Sequence, residues 1–291
     1  NTTMNVMWQN VSSWGDSTVE LVSRINPDKF IVNVDGPGSN DTNPHTGPHA
    51  KDLIIFIDSL SKHWTGTLAM HTDCSLGDFK RDWNIGGKYD TIPWASYVDY
   101  FLLLNDSLKY HCLPHFTELL IETENSMMSA KAINQKPLFD KIRTRINDSS
   151  IMLSATSDWH AKWTTWGVDC YYAQMYDMCY PLDSGGMPSL CGPNHCSTDR
   201  VDTIVPYFVE AITNVNNSEM INQDGVYFIF SFAPNKKHPN KNAPQFGETS
   251  LVWDEKDFMY FLSSFETTLK PHTTSTINVG VWDTRTLLRN W

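Results

Sequence analysis

The chain has 291 residues, 41% hydrophobic and 12% aromatic with 11 Trp, a composition that supports a large core and excludes a disordered or collagen-like polymer. Its formal net charge of -11 argues against a nucleic-acid partner, because phosphate binding relies on clustered Lys and Arg, and the clusters Lys80-Arg81 and Lys236-Lys237 are too short to reverse that balance. No apolar run reaches the roughly 18 residues that span a bilayer, and the segment from Asn1 lacks the charged and apolar regions of a signal peptide, so a mature chain without a transmembrane segment is expected.

Along the chain, short β-rich runs alternate with longer amphipathic ones, the pattern of parallel β/α units. The reading begins with a strand at Asn5-Trp8, a helix at Ser17-Ile25 and a strand at Lys29-Val34. A helix at Ala50-His63 follows, its apolar Leu53, Ile54, Phe56, Ile57 and Leu60 forming the stripe of a helix lying on a sheet. Next come a strand at Gly66-His71, a helix at Tyr97-Leu108, a strand at Glu118-Glu122 and a helix at Ala130-Ile146. Trp94-Leu104 also fits a buried strand, since its FLLL run is apolar throughout. Strands at Ile151-Ala155 and Asp169-Met175, a helix at Val201-Val215, a strand at Gly225-Phe232, a helix at Glu255-Leu269 and a strand at Ile277-Trp282 complete the series.

Parallel strands buried on both faces read as continuous apolar runs, as FIVNV, YFIFSF and INVGVW do. Eight units without a switch in order predict an α/β fold, one (β/α)₈ TIM barrel over residues 1–291. Residues 179–200, rich in Cys, Gly and Pro, read as a loop inserted after the sixth strand.

The six cysteines are Cys74, Cys112, Cys170, Cys179, Cys191 and Cys196. Their even number is compatible with three disulfides in any of 15 connectivities, and no CxxC spacing points to a structural metal. Disulfides imply an oxidising compartment and a brace for the inserted loop. Sequons begin at Asn1, Asn10, Asn40, Asn105, Asn147 and Asn216, most of them where surface loops or helix ends are expected. The expectation is therefore a secreted, extracellular or secretory-pathway glycoprotein.

In a barrel, residues at the C-terminal strand ends converge on one face. Those positions hold Gln9 and Asn10, Asp35, His71 and Asp73, Glu122 and Glu124, Asp158, Trp159 and His160, Gln174, Tyr176 and Asp177, and Trp282 and Asp283. Carboxylates, hydroxyls and aromatic faces are what a sugar site requires: acids to protonate a glycosidic oxygen, hydroxyls to orient the ring, and rings on which it stacks. Polar residues also follow strands as ordinary caps and turns.

Four stretches carry a family resemblance: NVMWQN at Asn5-Asn10, LLIETEN at Leu119-Asn125, YYAQMYD at Tyr171-Asp177 and GVWD at Gly280-Asp283. In order and spacing the chain resembles the family 18 glycoside hydrolases, the chitinase and chitinase-like lectin group. The resemblance implies substrate-assisted catalysis on N-acetylglucosamine-containing glycans, with Glu124 as the acid and the substrate's own acetamido group as nucleophile. It further implies that Glu122 positions that acetamido group, that Tyr176 bonds its carbonyl with support from Asp177 and Gln174, and that Trp282 floors the site, with Trp8 and Trp159 as further binding residues. The family's acidic motif is altered here, with Thr117 and Leu120 in place of its first two Asp and the longer Glu122 in place of its third. Leu120 removes part of the charge relay that those Asp supply.

Other readings are open. A barrel that has lost catalysis would be a lectin-like or structural extracellular glycoprotein, a coat, matrix or filament subunit capable of self-assembly. Trp159, Trp163 and Trp166 could serve such a surface or simply pack over the barrel. A metal-dependent hydrolase would use His71, Asp73 and His160. No GxSxG elbow or phosphate loop is present, so no organic cofactor is expected.

Overall fold

The computed structural model describes residues 6–10, 15–34, 48–73, 93–122, 136–158, 163–174, 205–206, 209, 212–213, 222–231 and 255–282. For 6–10, 33, 34, 48–50, 73, 93, 94, 96, 97, 157, 158, 231, 255–258 and 282 it describes the backbone position alone.

Eight parallel strands close on themselves in sequence order. They are β1 Val6–Asn10, β2 Lys29–Val34, β3 Thr67–Asp73, β4 Phe116–Glu122, β5 Met152–Asp158, β6 Cys170–Gln174, β7 Val226–Ser231 and β8 Asn278–Trp282. The seam is made where Val6 and Met7 of β1 pair with Gly280 and Val281 of β8. Around the barrel lie α1 Asp16–Ile25, α2 Pro48–Ser61, α3 Pro93–Tyr110, α4 Lys136–Ile146 and α5 Glu255–Leu269, with helical residues also at 205, 206, 209, 212 and 213.

The strand ends differ from the sequence reading in an instructive way. The fifth strand runs three residues beyond Ala155, because Thr156, Ser157 and Asp158 pair with Tyr172, Ala173 and Gln174. Asp73, expected past a third strand ending at His71, lies within that strand. The FLLL segment is helical, inside α3. Of the helix expected at Ala130-Ile146, the described part begins at Lys136, and residues 130–135 lie outside the described set, as does the inserted loop 179–200.

Three of the described helices stop where the backbone turns left-handed. Asn26 (φ 50) ends α1, its N–H donating to Val22 O, and Pro27 follows; Cys112 (φ 55) follows α3 and Asn147 (φ 48) follows α4. Asn accepts this conformation readily and Cys does so at some cost.

Two apolar layers result from strand alternation. The outward residues, among them Phe30, Val32, Leu68, Met70, Leu119, Ile121, Tyr171, Phe228 and Val281, pack with helix residues such as Leu53, Phe101, Phe139 and Phe265 into the main core. The inward ones, Ile31, Ala69, Leu120, Cys170, Tyr172 and Ile229, form a smaller core inside the barrel. Trp163 and Trp166 belong to the outer layer. Trp163 stacks on Tyr171 at 5.2 Å and Trp166 on Phe139 at 6.0 Å, so packing over the barrel accounts for both.

Phase is corrected between β3 and β4. Leu68 pairs with Phe116 but Ala69 pairs with Glu118, leaving Thr117 as a bulge whose hydroxyl donates to Leu68 O. Without that extra residue, the inward set of β3 would face the outward set of β4.

Two expectations on modification and pairing are corrected. Asn105 is 2% exposed, its Nδ2 donating to Phe116 O and its Oδ1 accepting from Phe116 N, so it ties α3 to the start of β4 and has no room for a glycan. Asn147, by contrast, is exposed just past α4. Among the described residues both cysteines are free thiols, Cys112 on the surface and Cys170 inside the barrel, where the inner core surrounds it. Cys74, Cys179, Cys191 and Cys196, and the sequons at Asn1, Asn40 and Asn216, lie outside the described residues; Asn10 is described as a backbone position at the end of β1.

Candidate functional site

Inside the barrel, two groups of polar side chains stand on either side of apolar residues. Strand β4 displays the arrangement in one line: Glu118, Leu120 and Glu122 alternate inward, with Leu120 fully buried between the two carboxylates. Leu120, which breaks the acidic motif of the resembled family, is here part of the inner apolar core with Ile31, Ala69 and Ile229.

The lower group centres on Lys29, the first residue of β2. Its ammonium donates to Glu118 Oε2 and, at 2.8 Å, to the Tyr172 hydroxyl, which itself donates to Glu118 Oε1 at 2.7 Å. Tyr227 stacks on Tyr172 at 4.7 Å and lies with its ring centroid 4.7 Å from the ammonium. The result is a charged, closed triangle sealed by aromatic rings. Burial works against the charge of Lys29, but Glu118 prevails and raises its pKa. Burial, then Glu118, push the Tyr172 phenol well above its usual range, and burial pushes the Cys170 thiol up to about 11.

These three groups hold protons that an unfolded chain surrenders earlier. Their stabilising contribution is therefore complete below about pH 9, the ordinary thiol value, and declines as pH rises through the raised folded values. Melting temperature measured between pH 8 and 11 is expected to fall from about 9 upward. In Cys170→Ser the fall should begin nearer 10, where tyrosine and lysine of the unfolded chain titrate; an unchanged onset would remove Cys170 from the account.

The upper group lies at the C-terminal ends of β3 to β6, the face on which barrel sites are built. His71, with no exposed surface, places Nε2 at 2.9 Å from Oε2 of Glu122, whose side chain is 9% exposed. Register sets His71 opposite Leu120 and Asp73 opposite Glu122, so the imidazole approaches the carboxylate diagonally from the neighbouring strand. Thr156, opposite Glu122 on β5, is buried and donates to Tyr172 O. Gln174, the last residue of β6, is 2% exposed, and its Oε1 accepts no hydrogen bond from the described residues.

The expected site residues are thus partly brought together. Glu122 and Gln174 end their strands at the barrel mouth, as the backbone position of Trp282 does at the end of β8, whereas Trp8 is mid-strand in β1, opposite Ile31 of the inner apolar core. Glu124, Tyr176, Asp177, Trp159 and His160 lie outside the described residues. Among the described residues no three His, Cys, Asp or Glu side chains are grouped to hold a metal, and no helix is long and apolar enough to cross a membrane. The sequence reading missed the pairing of His71 with Glu122 and the Lys29 triangle. A signal for the triangle exists in retrospect: a Lys opening a largely apolar strand, and a Glu four residues before another Glu on the same strand face.

Comparison with known proteins fits this architecture. The catalytic domain of the Bacillus sp. JAMB-750 GH26 endo-β-1,4-mannanase superposes with a TM-score of 0.53 at 11% identity, covering 97% of this chain and 77% of that one. A GH113 β-1,4-mannanase matches at a TM-score of 0.48 and 13% identity over 98% and 92%, and a GH5_18 protein of Bifidobacterium longum subsp. longum at 0.48 and 8% over 92% and 78%. No family model matches the chain, and no curated protein matches it. The likeness to the GH26 domain shows the α/β barrel fold alone.

Proposed function

We propose that this chain is a carbohydrate-active barrel that binds glycans containing N-acetylglucosamine at the C-terminal mouth, in an extracellular setting. The observation that carries the reading is the upper polar group: a buried carboxylate with a buried imidazole nitrogen 2.9 Å away, beside a buried glutamine whose Oε1 accepts no hydrogen bond from the described residues. A barrel built only as a scaffold fills that layer with branched apolar side chains. Polar atoms kept there without a protein partner cost free energy, which a ligand donating hydroxyl or amide N–H groups recovers.

In this reading Glu122 accepts the N–H of an acetamido group and Gln174 accepts a second donor, while Trp8 and Trp282 offer rings for stacking. Glu124, two residues past Glu122, is the acid on which hydrolysis rests; Tyr176 and Asp177 orient the acetamido carbonyl as the attacking group.

Calorimetric titration with chitotetraose, and with mannotetraose as the second probe because the GH26 neighbour is a β-1,4-mannanase, tests the reading. Binding of chitotetraose is expected, with Trp282→Ala weakening it by roughly tenfold, the scale of a lost stacking ring. Product analysis after long incubation separates the two modes of action: cleavage that disappears in Glu124→Gln identifies a hydrolase, and binding without products identifies a lectin. Absence of binding to either oligosaccharide would defeat the proposal.

A further inference from the structure

We propose that Asn147 carries an N-linked glycan on the face opposite the barrel mouth and that Asn105 carries none; this goes beyond the glycan-binding reading and shares with it the extracellular setting. The two sites present the same tripeptide, Asn-Asp-Ser, at Asn105-Asp106-Ser107 and at Asn147-Asp148-Ser149. As acceptors they are identical in local sequence, so the fold decides between them.

Asn147 is the first residue past α4, exposed and in the left-handed conformation (φ 48), with its backbone N–H donating to Arg143 O at 3.0 Å. That bond uses the main chain, so ending the helix does not engage the side-chain amide. Ser149, which completes the sequon, is exposed as well. Between them the Asp148 carboxylate is committed forward along the chain, its Oδ1 accepting from Ser150 N at 2.9 Å and from Ser150 Oγ at 2.6 Å. At Asn105 the same tripeptide lies on α3 with both polar atoms of the amide bonded to Phe116 and 2% of the residue exposed. A sugar there would part α3 from β4.

The co-reactant is a lipid-linked glycosyl pyrophosphate. A bond forms between Nδ2 and the anomeric carbon; the bond from that carbon to the pyrophosphate oxygen breaks, its electron pair leaving with the lipid pyrophosphate, and Nδ2 gives up one proton. The emerging chain receives the sugar before it folds. What the fold selects is the product it can accommodate, a surface glycan at Asn147. Asn147 precedes β5, at the N-terminal end of the strands, whereas Glu122 and Gln174 close the opposite end. The mouth stays open.

The full chain, secreted from a eukaryotic host behind a supplied leader, is digested with trypsin and deglycosylated enzymatically in ¹⁸O water. Peptide 146–162 contains the Asn147 sequon alone, and peptide 89–109 that of Asn105 alone. Asn147 is expected as labelled Asp and Asn105 as unmodified Asn. Unmodified Asn147, or labelled Asn105 in folded, soluble protein, would overturn the proposal. Asn147→Gln is expected to lose the glycan's mass and to keep wild-type affinity for chitotetraose; weakened binding would contradict a glycan placed away from the mouth. A wild type labelled at Asn147 that binds neither chitotetraose nor mannotetraose would defeat the glycan-binding reading and leave this one standing.

Discussion

Lys29→Met is expected to lower the unfolding free energy by about 3–5 kcal/mol, the largest stability effect of any single change considered. The cause is what it leaves behind. Glu118, with about 1% of its side chain exposed, would face a methyl group in place of an ammonium. The pair itself contributes far less than that figure, because removing two charges from water offsets most of their attraction. Replacing the whole triangle with apolar groups of similar shape, Lys29→Met with Glu118→Leu and Tyr172→Phe, is therefore expected to return stability to within about 1–2 kcal/mol of the wild type. Urea unfolding of the single and triple variants measures both. A single variant within about 1 kcal/mol of the wild type would mean that water reaches Glu118 and that the interior is not closed there.

Gly66→Ala comes second. A Cβ on residue 66 would stand 2.1 Å from Cζ2 of Trp64 and 2.7 Å from Asp28 O. Neither can withdraw easily: the indole is 5% exposed and donates to Pro27 O at 2.7 Å, and Asp28 O accepts from the N–H of Thr67 where β3 begins beside β2. The expected loss is about 1–3 kcal/mol, the usual range for overpacking. Shortening the obstacle in Gly66→Ala/Trp64→Leu should recover less than the methyl costs, because the indole also packs on Phe30. Thermal melts would check this, and an unchanged midpoint for Gly66→Ala would show that the β2–β3 connection has slack.

The barrel was legible because its strands are apolar on both faces, and that property survives any uncertainty about exact ends. The polar ends were harder. Thr156, Ser157 and Asp158 carry no strand signature of their own and are held in β5 by pairing with β6. Thr117 likewise gives no local sign of the bulge that phases β3 against β4. Since that phase decides which residues meet, His71 could be read as a possible metal ligand but not as the partner of Glu122. Asn105 shows a sequon misread for the same reason: its amide is occupied by a strand eleven residues on, a contact that no sequon reveals. Cys170 was read as half of a disulfide from parity alone, whereas alternation along β6 turns it into the barrel. Glu122 and Gln174 were legible as members of the mouth, because each is the last residue of a strand and shares the inward face with apolar residues two positions earlier.

The central claim is that ligand meets the C-terminal mouth and not the lower, charged interior. Backbone amide shifts followed by NMR during a chitotetraose titration test it most directly. The account predicts the largest, saturable shifts at Glu122, Gln174 and Trp282, with Lys29, Glu118 and Tyr227 unmoved. Shifts confined to the outer helices, or none at saturating ligand, would contradict it.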